Sequence, residues 1–359
     1  MTALKGQKVG HDLDRSPAGR QLHVKIAVVG AGNFGTVIAN IVAARGHEVA
    51  LWLRDPSQCE ALARDRENVR YLPGHPLAEG VEPTTDLPAA VAGARLVFVA
   101  VPSAALPAVA ERLGALLEPG TGLISTTKGL ARDGFTLMSE VLAAACPQAR
   151  IGVLSGPNLA EEIAQGHFTG TVIASAEAAL CEEVQRRVHS RSFRVYSNSD
   201  RYGVELAGAL KNIYALASGM AAALGAGENS RAMLLTRGLA EMSQFAVAKG
   251  ANPLTLLGLA GVGDLMVTCS SPLSRNFQLG RAIGEGRSLE DAAAHLGKLA
   301  EGVNTVRSTW QEAQRLAVPM PICQGLHAIL FEGRQLPEVL VRLMLAEQRD
   351  DVAVAWRQP

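Results

Sequence analysis

The chain has 359 residues, with 34 lysines and arginines balanced by 34 aspartates and glutamates; the length predicts two domains, and the balance gives no diffuse positive field of the kind a nucleic-acid or anionic-membrane binder carries. Its five cysteines, Cys59, Cys146, Cys181, Cys269 and Cys323, are scattered and never form a C-x-x-C pair, which points to reduced thiols in a cytosolic protein and away from a zinc site. No stretch approaches the ~18 apolar residues that span a bilayer, and the N-terminus lacks an apolar signal core, so a soluble, unexported protein is expected.

Met1 to Leu22 mixes charges, glycines and a proline without periodicity and is read as a flexible arm. Val24 to Val29 is a β-branched run suited to a buried parallel strand, and Gly30-Ala31-Gly32-Asn33-Phe34-Gly35 behind it fits the G-x-G-x-x-G dinucleotide fingerprint. Gly30 permits a sharp turn, Gly32 lets the backbone approach a pyrophosphate, and Gly35 lets the following helix pack closely on the strand. That helix aims its free N–H groups at the phosphates. Glu48 to Leu53 is the second strand, whose end should lie against the adenosine ribose. The residues there are Arg54 and Asp55. An acid would bond a ribose 2′-hydroxyl and an arginine would accept a 2′-phosphate, so NAD and NADP both stay open.

Arg95 to Val101 and Gly122 to Ser125 are further buried runs, ending in Pro102-Ser103 and Thr126-Thr127-Lys128-Gly129 at one carboxyl edge. Ligands bind outside that edge, which makes Lys128 a lysine facing the cofactor crevice. Ile151 to Leu154 runs into Ser155-Gly156-Pro157-Asn158 and a helical Leu159 to Ala164, whose first amides can hold an anion. Thr171 to Ser175 and Phe193 to Tyr196 complete the strands, and beyond Ser199-Asp200 the pattern is helical.

Arg201 to Leu224 is a helix so rich in alanine, glycine and leucine that it should be largely buried, yet it contains Lys211, with Asn212 beside it. Burial lowers a lysine pKa toward the range of a general base. Gly261-Val262-Gly263-Asp264-Leu265 places a carboxylate in an apolar setting that calls for a cation, with Lys211 and Lys128 the candidates. Thr268 follows. Ser274 can cap a helix starting at Arg275, and an arginine beside free helix amides makes a phosphate clamp. Ser288 to Leu296 and Val303 to Leu316 read as amphipathic helices, and Pro319 and Pro321 break the pattern before the last ones.

The motifs GAGNFG, TTKGL, SGPNLA, ALKNIYA, RGLAEM, GVGDL and SRNF, in this order, closely resemble the bacterial NAD(P)-dependent glycerol-3-phosphate dehydrogenases from about Val24 to Leu345. The resemblance implies an α/β fold: an N-terminal Rossmann-type doubly wound sheet over residues 23–199, then an all-α domain over 200–359. It implies hydride transfer between NAD or NADP and a small phosphorylated substrate, interconverting dihydroxyacetone phosphate and sn-glycerol 3-phosphate for phospholipid synthesis. Lys211 becomes the proton acceptor, with Lys128 and Asp264 around it; Ser274, Arg275 and Asn276 contact substrate, and Gly156 and Asn158 line the same site. For the cofactor, beside the glycines, it implies Asn33, Phe34, Arg54, Lys128, Ala160, Arg275, Leu299 and Glu301. One departure is Asn158-Leu159, where the family usually has serine or threonine followed by phenylalanine. No metal is implied, and a homodimer is compatible with the sequence.

Two other readings share parts of the pattern. A β-hydroxyacid or 6-phosphogluconate-type dehydrogenase has the same architecture and a helical lysine, but the GVGDL and SRNF pair argues against it. A redox-sensing regulator without chemistry would keep the glycine fingerprint and has no use for Lys211, Asp264 and Arg275.

Overall fold

A computed structural model of the protein describes residues 23–132, 134–296 and 301–345. The arm Met1 to Leu22 and the cofactor candidate Leu299 lie outside them. Eight strands form one sheet: β1 (Lys25–Val29), β2 (Glu48–Trp52), β3 (Val81–Thr84), β4 (Leu96–Val99), β5 (Gly122–Ser125), β6 (Arg150–Ser155), β7 (Thr169–Ala174) and β8 (Phe193–Asn198). The order is β3-β2-β1-β4-β5-β6-β7-β8, with parallel pairing from β3 through β6. The chain reverses its progress between β1 and β4, which puts the glycine turn after β1 at the topological switch point.

Alternation along the strands divides the apolar residues between two faces. Ile26, Val28, Leu51 and Phe98 pack with the first helix, Asn33–Ala44, through Val37, Ile38 and Val42. Ala27, Val29, Val97 and Val99 pack on the other face with Leu106, Leu113 and Leu142. Both faces are therefore covered by helices, as a doubly wound sheet requires.

Two features depart from the sequence reading. β3 has no counterpart among the strands read from the sequence; Val81-Glu82-Pro83-Thr84 contains a proline, which is tolerated because the strand lies at the sheet edge. β7 runs antiparallel to β6. The link between them carries only the five-residue helix Ala160–Ala164, roughly 7.5 Å of rise. Parallel neighbours are usually joined by a longer crossover helix, and with so short a one β7 starts at the edge where β6 ended.

After Asn198 the described chain is helical, organised around Arg201–Ala223. Every residue of this central helix from Gly203 to Leu216 is buried. Its glycines, with those of the neighbouring Arg275–Gly284 helix, let backbones touch: a Cβ on Gly219 would lie 2.0 Å from the Phe277 carbonyl oxygen, and one on Gly280 2.0 Å from that of Leu216. A Cβ on Gly208 would lie 2.7 Å from Ser155 Oγ, so the same helix also seats directly on the end of β6. Among the described residues no helix is long and apolar enough to cross a membrane.

Candidate active site

The glycine turn has the geometry its pattern requires. Gly30 sits at φ +117°, and a Cβ there would lie 2.6 Å from the Ala100 carbonyl oxygen on the neighbouring strand's exit. A Cβ on Gly35 would lie 1.9 Å from the Gly30 oxygen, so the helix packs on the turn as closely as backbone allows. Gly32 is different: its Cβ would meet nothing within 4 Å. The turn is open at the one glycine that must admit a pyrophosphate, and this arrangement fits a dinucleotide. Asn33 is exposed at the helix start and its Oδ1 accepts from the Phe34 amide at 2.8 Å. Phe34 and Ala160 pack in the same apolar cluster as Ala31, which ties the Ala160–Ala164 helix to the turn.

At the end of β2, Arg54 is exposed and has no hydrogen bond or ion pair to any described residue. Asp55 has another occupation. Its carboxylate caps the helix Pro56–Asp65, accepting from the amides of Ser57 at 3.1 Å and Gln58 at 3.3 Å.

The fold brings Lys128, Gly156, Lys211 and Asp264 together at the other end of the crevice. A π-helical turn, Leu259–Gly263, delivers Asp264, and a Cβ on Gly261 would lie 2.0 Å from the Leu256 carbonyl oxygen, so only glycine permits that turn. Asp264 is 1% exposed. One of its oxygens accepts from Lys211 Nζ and the other from Lys128 Nζ at 2.7 Å. Lys211 also donates to Thr268 Oγ1 at 2.7 Å, and Lys128 to the Gly156 carbonyl at 2.7 Å. An ammonium has three donors, so each lysine keeps one for a ligand. Burial pushes the Lys211 ammonium down to about 8; the neighbouring Lys128 adds to the lowering while Asp264 opposes it. Such a group exchanges a proton readily near neutral pH.

Unpartnered polar atoms surround this array. Ser155 Oγ and Asn158 Oδ1 are buried with no hydrogen-bond partner. The Asn158 amide is turned by Thr171, whose hydroxyl donates to Ser155 O at 3.1 Å and can only accept, at 3.0 Å, from Asn158 Nδ2. The amide nitrogen is thus spent on Thr171, and the carbonyl oxygen is the atom of Asn158 left without a partner.

Ser274 caps the Arg275–Gly284 helix, its Oγ accepting from the Phe277 amide at 3.3 Å. Arg275, at the first turn, is exposed and has no described partner. Asn276 is engaged internally, donating to Asn212 Oδ1 at 2.8 Å and accepting from the Gly302 amide at 2.9 Å. It links the arginine's helix to the residue beside Lys211. Glu301 begins the Glu301–Arg315 helix and accepts from the Ser103 amide at 3.1 Å and from its hydroxyl, clasping the loop after β4. Sequence reading named Thr268 without a partner and gave Ser103 no role. Thr268 lies four residues from Asp264 on one helix, a spacing that signals a shared face, but nothing local links Ser103 to a carboxylate 198 positions away.

A Rossmann-type sheet whose crevice meets a buried lysine–aspartate–lysine array defines a nicotinamide-dinucleotide-dependent oxidoreductase. Residues 25–181 match the model of the NAD-dependent glycerol-3-phosphate dehydrogenase N-terminus and residues 200–341 that of its C-terminus, and the chain belongs to this family. Glycerol-3-phosphate dehydrogenase [NAD(P)+] of Azotobacter vinelandii is 57% identical over 327 residues, covering 91% of this chain and 96% of the relative. The Pseudomonas entomophila protein of the same name is 56% identical with the same coverage. The crystal structure of a glycerol-3-phosphate dehydrogenase from Coxiella burnetii superposes with a TM-score of 0.86 at 37% identity, covering 90% of this chain and 99% of that one.

Proposed function

We propose that the protein is a cytoplasmic NAD(P)-dependent sn-glycerol-3-phosphate dehydrogenase, interconverting dihydroxyacetone phosphate and sn-glycerol 3-phosphate for glycerophospholipid synthesis. Residues 23–199 act as the cofactor-binding unit and residues 200–359 as the substrate-binding unit. The observation that carries the reading is the buried array in which Asp264 accepts from both Lys211 and Lys128. A nucleotide-sensing regulator has no use for two lysines on one buried carboxylate.

The bound nicotinamide supplies or takes the hydride at carbon 2 of the substrate. Lys211 trades a proton with the oxygen on that carbon through its remaining N–H. In the reducing direction charge grows on the oxygen, so the ammonium holds the transition state more strongly than the ketone. Asp264 keeps Lys211 oriented and protonatable in a site that burial would otherwise discharge. Lys128, with its third donor, and the unpartnered acceptor on Asn158 suit the substrate's carbonyl and hydroxyl oxygens. Arg275, beside the capped helix start, holds the phosphate and so fixes the reacting carbon. Glu301, Asn33, Phe34, Arg54 and Ala160 serve the cofactor around the glycine turn. Leu254, Leu257, Met266 and Leu273 are exposed on the helical side, and a homodimer is part of this proposal.

Mixing the protein with dihydroxyacetone phosphate and NADH or NADPH, and following the reduced-nicotinamide absorbance, tests the proposal. Stoichiometric appearance of glycerol 3-phosphate is expected; oxidation of neither cofactor by an intact, folded preparation would overturn it.

A further inference from the structure

Between the Pro56–Asp65 helix and β3 the chain passes through Asn68-Val69-Arg70-Tyr71-Leu72, a segment outside the glycine motif. Asn68 is completely buried, and its Nδ2 donates to the Ala31 carbonyl at 3.0 Å and to Thr36 Oγ1 at 2.7 Å. These partners belong to the glycine turn and the helix it opens. The Asn68 carbonyl in turn accepts from the amides of Tyr71 at 3.1 Å and Leu72 at 2.8 Å, and Leu72 is locked in the core at 1% exposure. A tight turn results, anchored at both ends.

Its tip carries Arg70 to the end of β2. Arg70 Nη1 lies 3.7 Å from Asp55 Oδ2, and the guanidinium lies over the Tyr71 ring, 5.2 Å from its centroid. Arg54 stands exposed next to Asp55 in sequence. Where an acid would read a ribose 2′-hydroxyl, the Asp55 carboxylate is thus engaged by Ser57 and Gln58 and met by the Arg70 guanidinium.

We propose that Arg70 is a specificity-determining residue of the dinucleotide site, forming with Arg54 a two-cation seat for the 2′-phosphate of NADP(H). The inference rests on the dehydrogenase reading and adds the cofactor it selects. A phosphate monoester carries about −1.5 to −2 charges near neutral pH, which one exposed guanidinium only half neutralises. Two planar donor forks suit its oxygens. The existing Asp55–Arg70 pair is no obstacle, since at 3.7 Å, with side chains 44% and 61% exposed, it is a weak surface contact that Arg70 can exchange for phosphate. Asn68 couples this seat to the turn that receives the pyrophosphate, so both phosphate groups are held from one rigid piece of backbone.

Calorimetric titration of the intact protein with adenosine 2′,5′-bisphosphate and with adenosine 5′-monophosphate tests this without any turnover. The wild type should bind the bisphosphate more tightly, and Arg70→Ala should weaken it about tenfold while changing the monophosphate by about twofold at most. Arg70→Lys should keep part of the preference. Asp55→Asn, which preserves the helix cap while removing the charge, should tighten the bisphosphate. Loss of affinity for both nucleotides in equal measure, or for neither, in Arg70→Ala would overturn the role of Arg70. Failure of the wild type to bind either nucleotide, or NAD(H) and NADP(H) themselves, would instead sink the dehydrogenase reading along with it.

Discussion

In the proposed site the reacting end is buried and the adenosine and phosphate ends are open: Lys211 and Asp264 are 6% and 1% exposed and bonded to one another, to Lys128 and to Thr268, whereas Arg54 and Arg275 stand in solvent with no described partner. A buried charge is costly, so the fold must compensate it internally, and the Lys211 ammonium is left at about 8. An exposed charge costs little to keep and stays available to an anion, but each such contact is individually weak in water. Damage at the buried end should therefore fall on kcat, and damage at the exposed ends on KM, cofactor choice and salt dependence.

Lys211→Ala gives the sharpest test of that division. Turnover should fall by ~10²–10⁴-fold, the usual contribution of a positioned acid–base group, while the dissociation constant of NADPH measured by fluorescence hardly moves. A variant that keeps more than a few per cent of the rate would take the proton from Lys211 and give it to some other group.

Arg275→Ala should act mainly on substrate binding. Loss of a charge-assisted contact to phosphate is worth about 1.5–3 kcal/mol, or roughly 10- to 150-fold in kcat/KM for dihydroxyacetone phosphate. Unphosphorylated dihydroxyacetone is the control: its slow reduction should be unaffected. If the variant discriminates between the two ketones as strongly as the wild type, the phosphate is held elsewhere.

At the adenosine end Arg54→Asp exchanges attraction for repulsion at a 2′-phosphate. The ratio of kcat/KM for NADPH to that for NADH should reverse, by about tenfold or more, since a single exposed charge pair changes sign. An unchanged ratio would mean that Arg54 does not face the ribose.

How far these ends could be read in the sequence follows from how local their signals are. The glycine turn, the central helix and the Ser274 cap are written in contiguous residues, and their positions agree with the structure to within one or two residues. Lys211 was conspicuous because a charge interrupts an apolar helix. β3 is four residues long and contains Pro83, so its own residues carry little strand signal, and only the fold shows it to be an edge. Ser103 against Glu301 and Asn276 against Asn212 and Gly302 depend on elements that meet only after folding. The tip that carries Arg70 was silent for the same reason, since nothing in Asn68 itself announces a bond to Ala31, 37 positions earlier.

The smallest expected effect separates the two ends most finely, because it is a shift in pH and not a loss of rate. In the reducing direction Lys211 must hold a proton, so kcat should be level below its pKa of about 8 and fall as pH rises through it; oxidation of glycerol 3-phosphate, which needs the free amine, should show the opposite slope. Lys128 lowers that pKa by like-charge repulsion and also shares Asp264 with it. Lys128→Gln removes the repulsion and leaves Asp264 to Lys211 alone, so whatever rate survives should keep its proton to higher pH, by up to about one unit or ~1.4 kcal/mol. Asp264→Asn removes the opposing carboxylate and should move the profile downward. Arg275→Ala, at the exposed end, should leave the midpoint where it was. Midpoints that fail to move in opposite directions in the two buried-site variants would show that the titrating group is not Lys211, whatever the size of the rate losses.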